Sequence, residues 1–161
     1  MVAQGTGAGG HVRGTVGTFP LLGDVLDAVS MPVRSAGGIG TAKAVAAALA
    51  TGADSVRVGT RFVATYEAGA HPEYMATLIA ARAEDTVYTG AFHLGWPDVP
   101  LRVLRSCITA AEAFQGDQVD EAVRLDGTRM PILRFGTAVV DRTVTGLLRQ
   151  WRSGPESRSA G

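Results

Sequence analysis

An α/β fold with a parallel sheet is what this sequence predicts. Two observations carry that expectation. A strand candidate, a glycine pair, a helix and a second strand candidate follow one another between Met31 and Thr60, which is the plan of a βαβ unit. The same strand-then-glycine arrangement precedes it at Val2-Ala-Gln-Gly5, so three strands succeed one another in βα order.

Each element has a local reason. Val2-Ala3-Gln4 reads as the tail of a strand closed by glycines, and Leu21 to Val29 reads as a helix with Leu22, Val25, Leu26 and Val29 on one face. Met31 to Ala36 is the second strand, ending in Gly37-Gly38. Thr41 caps a helix from Ala42 to about Thr51, and Gly52 ends it. Asp54 to Val58 is the third strand, ending in Gly59-Thr60. Beyond Phe62 the reading turns helical: His71 to Glu84, Leu101 to Phe114, and Gln118 to Leu125, with a proline-stiffened loop from Trp96 to Pro100. These divide the chain into a strand-and-loop segment, 1–83, a helical extension, 84–150, and a polar, disordered tail, 151–161.

Composition narrows the partners. Fifteen basic residues balance fifteen acidic ones, which gives no electrostatic case for nucleic acid or for an anionic membrane surface. The longest apolar stretch, Ala42 to Ala50, contains Lys43 and is too short to span a bilayer. The start, Met1-Val-Ala-Gln-Gly, does not read as a signal peptide. A single cysteine, Cys107, permits no internal disulfide and fits a cytoplasmic protein.

Glycine is the outlier, with 21 residues and a dense group between Gly5 and Gly17. Gly37-Gly38 and Gly59-Thr60, one βα unit apart, place backbone N–H groups at two successive strand ends, where they can converge on an anion. Each pair alone is equally a tight turn. His11, in Gly7-Ala-Gly-Gly-His-Val-Arg-Gly14 directly after the first strand, could act as a general base, because its pKa lies near neutrality. The alternative is a solvated loop histidine. Cys107 reads as a core residue, His71 and His93 as surface or cap residues, Glu67 as a helix-start acid, and Trp96 as a packing anchor. No His/Cys/Asp/Glu cluster has metal-ligand spacing.

Val2-Ala-Gln-Gly-Thr-Gly-Ala-Gly-Gly-His11, Pro32-Val-Arg-Ser-Ala-Gly-Gly-Ile39 and Gly52-Ala-Asp-Ser-Val-Arg-Val-Gly-Thr-Arg-Phe62 occur in the order and spacing of the nitronate monooxygenase (2-nitropropane dioxygenase-like) family, which this sequence resembles. The resemblance continues through Thr65-Tyr-Glu67, Asp85-Thr86-Val87 and Trp96 to Arg105, and fades near Gly146. It implies the carboxyl-terminal part of a (β/α)8 TIM barrel, about its last three βα units, with FMN at the carboxyl ends of the strands. By matching position, His11 becomes the catalytic base, and Gly9, Gly37, Gly38, Ile39, Gly59 and Thr60 become FMN contacts, mainly through backbone. The implied reaction is oxidation of a nitronate or nitroalkane by oxygen to a carbonyl compound and nitrite. Gly7 stands where the family usually has an acidic residue. Arg34 stands at a normally apolar strand position, so it must reach water or a partner.

Two other readings compete. Flavin-dependent enoyl-acyl-carrier-protein reductases share the Ala-Gly-Gly-His and Ala-Gly-Gly-Ile motifs. A non-catalytic barrel fragment is the third, because three strand candidates stand against the eight of a closed barrel. Its open edges would favour self-association.

Overall fold

The computed structural model describes residues 1–124, 126–137 and 141–144. The predicted tail, 151–161, lies outside the described residues. The described residues divide into two compact units, one of residues 1–63, 88–90 and 98–103, the other of 64–87, 91–97 and the described residues from 104 onward.

The first unit is built on a parallel three-stranded sheet. Strand β1, Val2–Gln4, is followed by the two-residue strand β2, Gly10–His11, and by helix α1, Thr18–Ala28. Strand β3, Arg34–Ala36, helix α2, Ala42–Ala50, strand β4, Ser55–Arg57, and the single turn α3, Thr60–Val63, complete the βα succession. The sheet order is β1-β3-β4, all parallel, with Ala3 opposite Ser35 and Ser35 opposite Val56. The βα plan read from the sequence is therefore the observed one.

Local chemistry sets the helix ends. The Thr41 hydroxyl accepts from Ala44 N–H and caps α2, and Gly52 leaves the helix at φ 112°. Asp54 Oδ2 accepts from Val33 N–H at 2.7 Å, which joins the start of β4 to the start of β3. Leu22 of α1 is fully buried with Ala3, Val33 and Ala53, and Leu21, Val25, Leu26 and Val29 pack around them. That is the apolar face the 3.6-residue spacing predicts. Arg34 is exposed, so its charge meets water and is not a buried cost.

Residues 88–90 and 98–103 complete the first unit. The second sheet has the order β2-β6-β5, with β5 at Thr86–Thr89 and β6 at Leu101–Leu104. β2 pairs antiparallel with β6, Gly10 opposite Arg102 and His11 opposite Leu101.

In the second unit, helix α4, Pro72–Ala80, starts at His71, whose Nδ1 accepts from Glu73 N–H, so His71 is the cap residue expected. Helix α5, Arg105–Ala113, buries Cys107 and Ala111. Strands β7, Gln118–Val123, and β8, Arg129–Leu133, form an antiparallel hairpin.

Three expectations need correction. The helix predicted over Leu101 to Phe114 begins only at Arg105, because Leu101–Leu104 is taken into a strand by pairing with β2. The helix predicted over Gln118 to Leu125 is strand β7: the Asp126-Gly127 turn, where Thr128 N–H and hydroxyl both donate to Asp126 Oδ1, returns the chain as a hairpin partner. The helical extension over 84–150 accordingly holds four strands besides helix α5 among its described residues. Trp96 is 49% exposed.

Candidate functional site

The loops after β1, β3 and β4 meet backbone to backbone. Gly5 N–H donates to Ala36 O at 3.0 Å, so the first loop starts on the end of β3. A Cβ on Gly5 would overlap the backbone of Thr18. Thr18 in turn donates its hydroxyl to Gly37 O at 2.7 Å. Gly37 has φ 105°, and a Cβ there would lie 2.7 Å from Gly5 O and 2.9 Å from Ala8 N. A Cβ on Gly7 would lie 3.3 Å from Gly38 N, and one on Gly9 would overlap the Thr60 hydroxyl. Glycine at these places is what allows three strand ends to close on one another.

The remaining glycines of the group differ. A Cβ on Gly38, at φ 70°, would have no heavy atom nearer than 3.8 Å, and one on Gly40 or Gly59 would meet nothing within 4 Å. The space where their side chains would stand is therefore open. Ile39 between them is buried. The predicted cofactor residues thus fall into two sets. At Gly9 and Gly37 packing leaves no room for a side chain, whereas at Gly38 and Gly59 nothing crowds the place of a Cβ. Bare backbone beside a strand end is the cradle an anion uses.

His11 is not in a loop: it is the second residue of β2 and is half-buried. Its carbonyl accepts from Gln4 Nε2 at 3.3 Å. Immediately after it, Val12 is buried and donates its N–H to Pro100 O at 3.0 Å. The Tyr88 hydroxyl lies 2.9 Å from Val12 O and 3.2 Å from Gly14 O, and Arg102 Nε donates to Thr6 O at 2.8 Å. Sequence reasoning missed Thr18, Tyr88 and Arg102. The alternation of Thr86-Val-Tyr-Thr89 was the available signal for Tyr88. Arg102 sits in the run Leu101-Arg-Val-Leu104, whose four residues fit either period.

The other candidates belong to the second unit. Cys107 is buried, and burial pushes its thiol up to about 12, away from nucleophilic use. Burial likewise raises Tyr74, helped by Cys107. His93 is exposed, with Nδ1 2.8 Å from Ala91 O and its ring stacked on Phe135. Glu67 lies in the first turn of a 3₁₀ segment, Tyr66–Ala68, its carboxyl held low first by its backbone hydrogen bond and next by Thr65. Among the described residues no group of three or more His, Cys, Asp or Glu side chains could hold a metal ion. No helix of the described residues is long and apolar enough to cross a membrane.

The profile of the nitronate monooxygenase family matches residues 1–120, which includes every loop just described. The chain belongs to the nitronate monooxygenase family. A Mycobacterium tuberculosis protein named as a monooxygenase is 43% identical over 110 residues, covering 68% of this chain and 28% of that protein. A Staphylococcus aureus protein named as a nitronate monooxygenase is 38% identical over 102 residues, 57% of this chain and 28% of its own length. FabK from Thermotoga maritima superposes with a TM-score of 0.58 at 47% identity, over 65% of this chain and 32% of that one. Nitroalkane oxidase from Streptomyces ansochromogenes gives 0.55 at 39% identity, over 64% and 31%. This chain therefore spans less than a third of the length of the relatives it matches.

Proposed function

We propose that this chain supplies the phosphate-side strands and the base of an FMN-dependent (β/α)8 oxidoreductase that acts on nitronates or nitroalkanes. The observation that carries the reading is the set of bare glycines at the ends of β3 and β4, locked beside the His11 segment by Gly5, Gly9 and Gly37. The residues present fit FMN. The main chain of Gly38, Ile39, Gly59 and Thr60 would hold its phosphate, and Gly9 keeps Thr60 close to the first loop. FMN, when bound, would take electrons from the substrate and pass them to oxygen, leaving a carbonyl compound and nitrite. The part of the chain is to bind that phosphate and to take a proton: a ring nitrogen of His11 would accept the α-proton of a neutral nitroalkane. The cytoplasm, where a lone thiol stays reduced, is the compartment this reading takes.

The tests need the chain completed with the amino-terminal half of a relative. Gly59→Asp is the cleaner phosphate test, since Gly59 has no positive φ and its Cβ meets no neighbour. It should fold and lose flavin on dialysis; undiminished flavin absorbance would remove Gly59 from the site. Gly38→Asp should act alike, with added strain from φ 70°. His11→Asn should keep flavin and lose about 10²–10⁴-fold in turnover of neutral nitroalkane. Preformed nitronate has already lost that proton, so its oxidation should suffer much less. Equal losses on both would make His11 a substrate-positioning group, and no loss would make it a bystander.

A second reading is favoured by the likeness to FabK and by the shared Ala-Gly-Gly-His and Ala-Gly-Gly-Ile motifs. It is a flavin-dependent enoyl-acyl-carrier-protein reductase, which oxidation of NADH with a crotonyl thioester would reveal. The outer edges of β1 and β4 have no strand partner among the described residues, so the isolated chain should self-associate and bind FMN weakly. A monodisperse yellow monomer on size-exclusion chromatography would contradict that.

A further inference from the structure

We propose that Tyr88 and Arg102 are positioning residues that fix the direction of His11, one from each side of it; the proposal rests on the reading of His11 as the base. The segment that carries His11 is poorly suited to hold anything still. Gly5, Gly7, Gly9, Gly10 and Gly14 lie within ten residues, and each glycine adds conformational freedom that must be removed. A base misplaced by about 1 Å can lose on the order of 10²-fold in rate.

The structure supplies the missing restraint from two strands far along the chain. Ahead of His11, Arg102 acts twice: its backbone stands opposite Gly10 in the β2–β6 ladder, and its Nε crosses to Thr6 O at 2.8 Å. Behind His11, the Tyr88 hydroxyl lies between two carbonyls, Val12 O at 2.9 Å and Gly14 O at 3.2 Å. Val12 itself is sealed in, with its N–H on Pro100 O. Thr6 O, Val12 O and Gly14 O are all main-chain carbonyls. The two side chains therefore grip the course of the backbone around His11, and that is the task of a group that sets direction. A tyrosine serves because its hydroxyl stands at the end of a rigid ring, and an arginine because its Nε–H has a fixed direction.

Tyr88→Phe in the full chain removes the hydroxyl and keeps the ring. The hydrogen exchange of the Val12 amide should accelerate about tenfold, the scale of one lost hydrogen bond. The His11 ring resonances should shift, while the amides of Arg34 and Asp54, which hold the parallel sheet, should exchange as before. Acceleration of all these amides together would mean a merely structural role and overturn the proposal, as would unchanged Val12 exchange and unchanged His11 resonances. Arg102→Lys keeps the charge and loses the Nε donor. Read by the same signals, it decides the question should Tyr88→Phe fold poorly. In the flavin-loaded protein, Tyr88→Phe should lower kcat on neutral nitroalkane more than on nitronate, with KM little changed. Failure of the base reading looks different: His11→Asn would then keep full turnover while Val12 still loosens in Tyr88→Phe.

Discussion

The parallel sheet β1-β3-β4 and the hairpin β7-β8 both have main-chain ladders, but beyond those ladders they are fastened by different atoms. Around the parallel sheet the contacts that matter are main chain on main chain: Gly5 against Thr18, Gly37 against Gly5 and Ala8, Gly7 against Gly38. In the hairpin they are side chains: Arg129 on Glu121 at 2.9 Å, Thr128 on Asp126, Arg134 over the Phe135 ring. The first kind leaves no volume for an added atom and depends little on pH or salt. The second tolerates replacement but is exposed to screening and titration. A site built from the first kind can hold its backbone donors in place without spending a side chain, which is why a candidate cofactor site belongs with the parallel sheet.

Adding one carbon should therefore hurt the parallel sheet most. Gly37→Ala combines a φ of 105° with contacts of 2.7 and 2.9 Å to backbone atoms that cannot turn aside. A left-handed backbone and overpacking together should cost about 3 kcal/mol. Urea unfolding of this variant would measure it, and a loss below about 1 kcal/mol would mean that the loops are looser than their packing indicates. Gly127→Ala, in the hairpin turn at φ 81° with nothing within 4 Å of its Cβ, carries only the backbone part of that cost.

Gly9 sharpens the contrast, because its neighbour is a side chain. Its Cβ would overlap the Thr60 hydroxyl, so Gly9→Ala alone should cost about 2 kcal/mol. Thr60→Ala in the same molecule should return most of that loss. A double-mutant cycle with no coupling would separate the loop after β1 from the loop after β4.

These contrasts also explain what was legible in the sequence. The succession of β1, α1, β3, α2 and β4 is local: each strand end has its glycine and each helix its cap or face, and the structure has all of them. Gly37-Gly38 and Gly59-Thr60 stood out for the same reason. Which glycines are there for packing and which are bare depends on neighbours 13 to 51 positions away, such as Thr18 for Gly5 and Thr60 for Gly9, and no local pattern shows that. Strand β6 was hidden because Leu101-Arg-Val-Leu104 becomes a strand only beside Gly10 and His11. Strand β7 was hidden because Val119, Ala122 and Val123 are spaced like one face of a helix, and the hairpin follows from the turn at Asp126-Gly127. Tertiary pairing overrides a local period in both cases.

Cys107 gives an intermediate effect in the second unit. Its folded pKa is raised to about 12 from an ordinary 9.0 by burial. The sign follows: below pH about 9 the thiol is neutral folded and unfolded, and the stability it contributes is fully present. As pH rises from there toward about 12, only the unfolded chain loses the proton, and stability falls. The slope can reach about 1.4 kcal/mol per pH unit for one proton. Urea midpoints between pH 8 and about 10 should decline, and Cys107→Ala should flatten that decline. An equal decline in the variant would place its cause elsewhere.

The smallest effect belongs to the hairpin, and its direction is still determined. Glu121 is held below the ordinary carboxylate value, first by its hydrogen bond from Arg129, and Asp126 is held low by Thr128. For carboxyls lowered in the fold, the contribution is present above the unfolded value near 4.5 for Glu and 3.8 for Asp, and it is lost as pH falls through the lower folded values. Both groups lie at the surface, where water and salt screen the charge, so the change should be small and should shrink further at high ionic strength. Amide exchange across β7 and β8 is the sensitive probe, compared between neutral pH and about pH 3 after correction for intrinsic rates. Glu121→Gln should remove part of the acid response and leave the Asp126 share, which Asp126→Asn should remove in turn. Salt should weaken the Glu121–Arg129 part and leave the Asp126 turn nearly untouched, because Thr128 is neutral. If the double variant responds to acid as the unaltered chain does, these two carboxyls are not what makes the hairpin sensitive. The side-chain account of the hairpin would then fail where it is most specific.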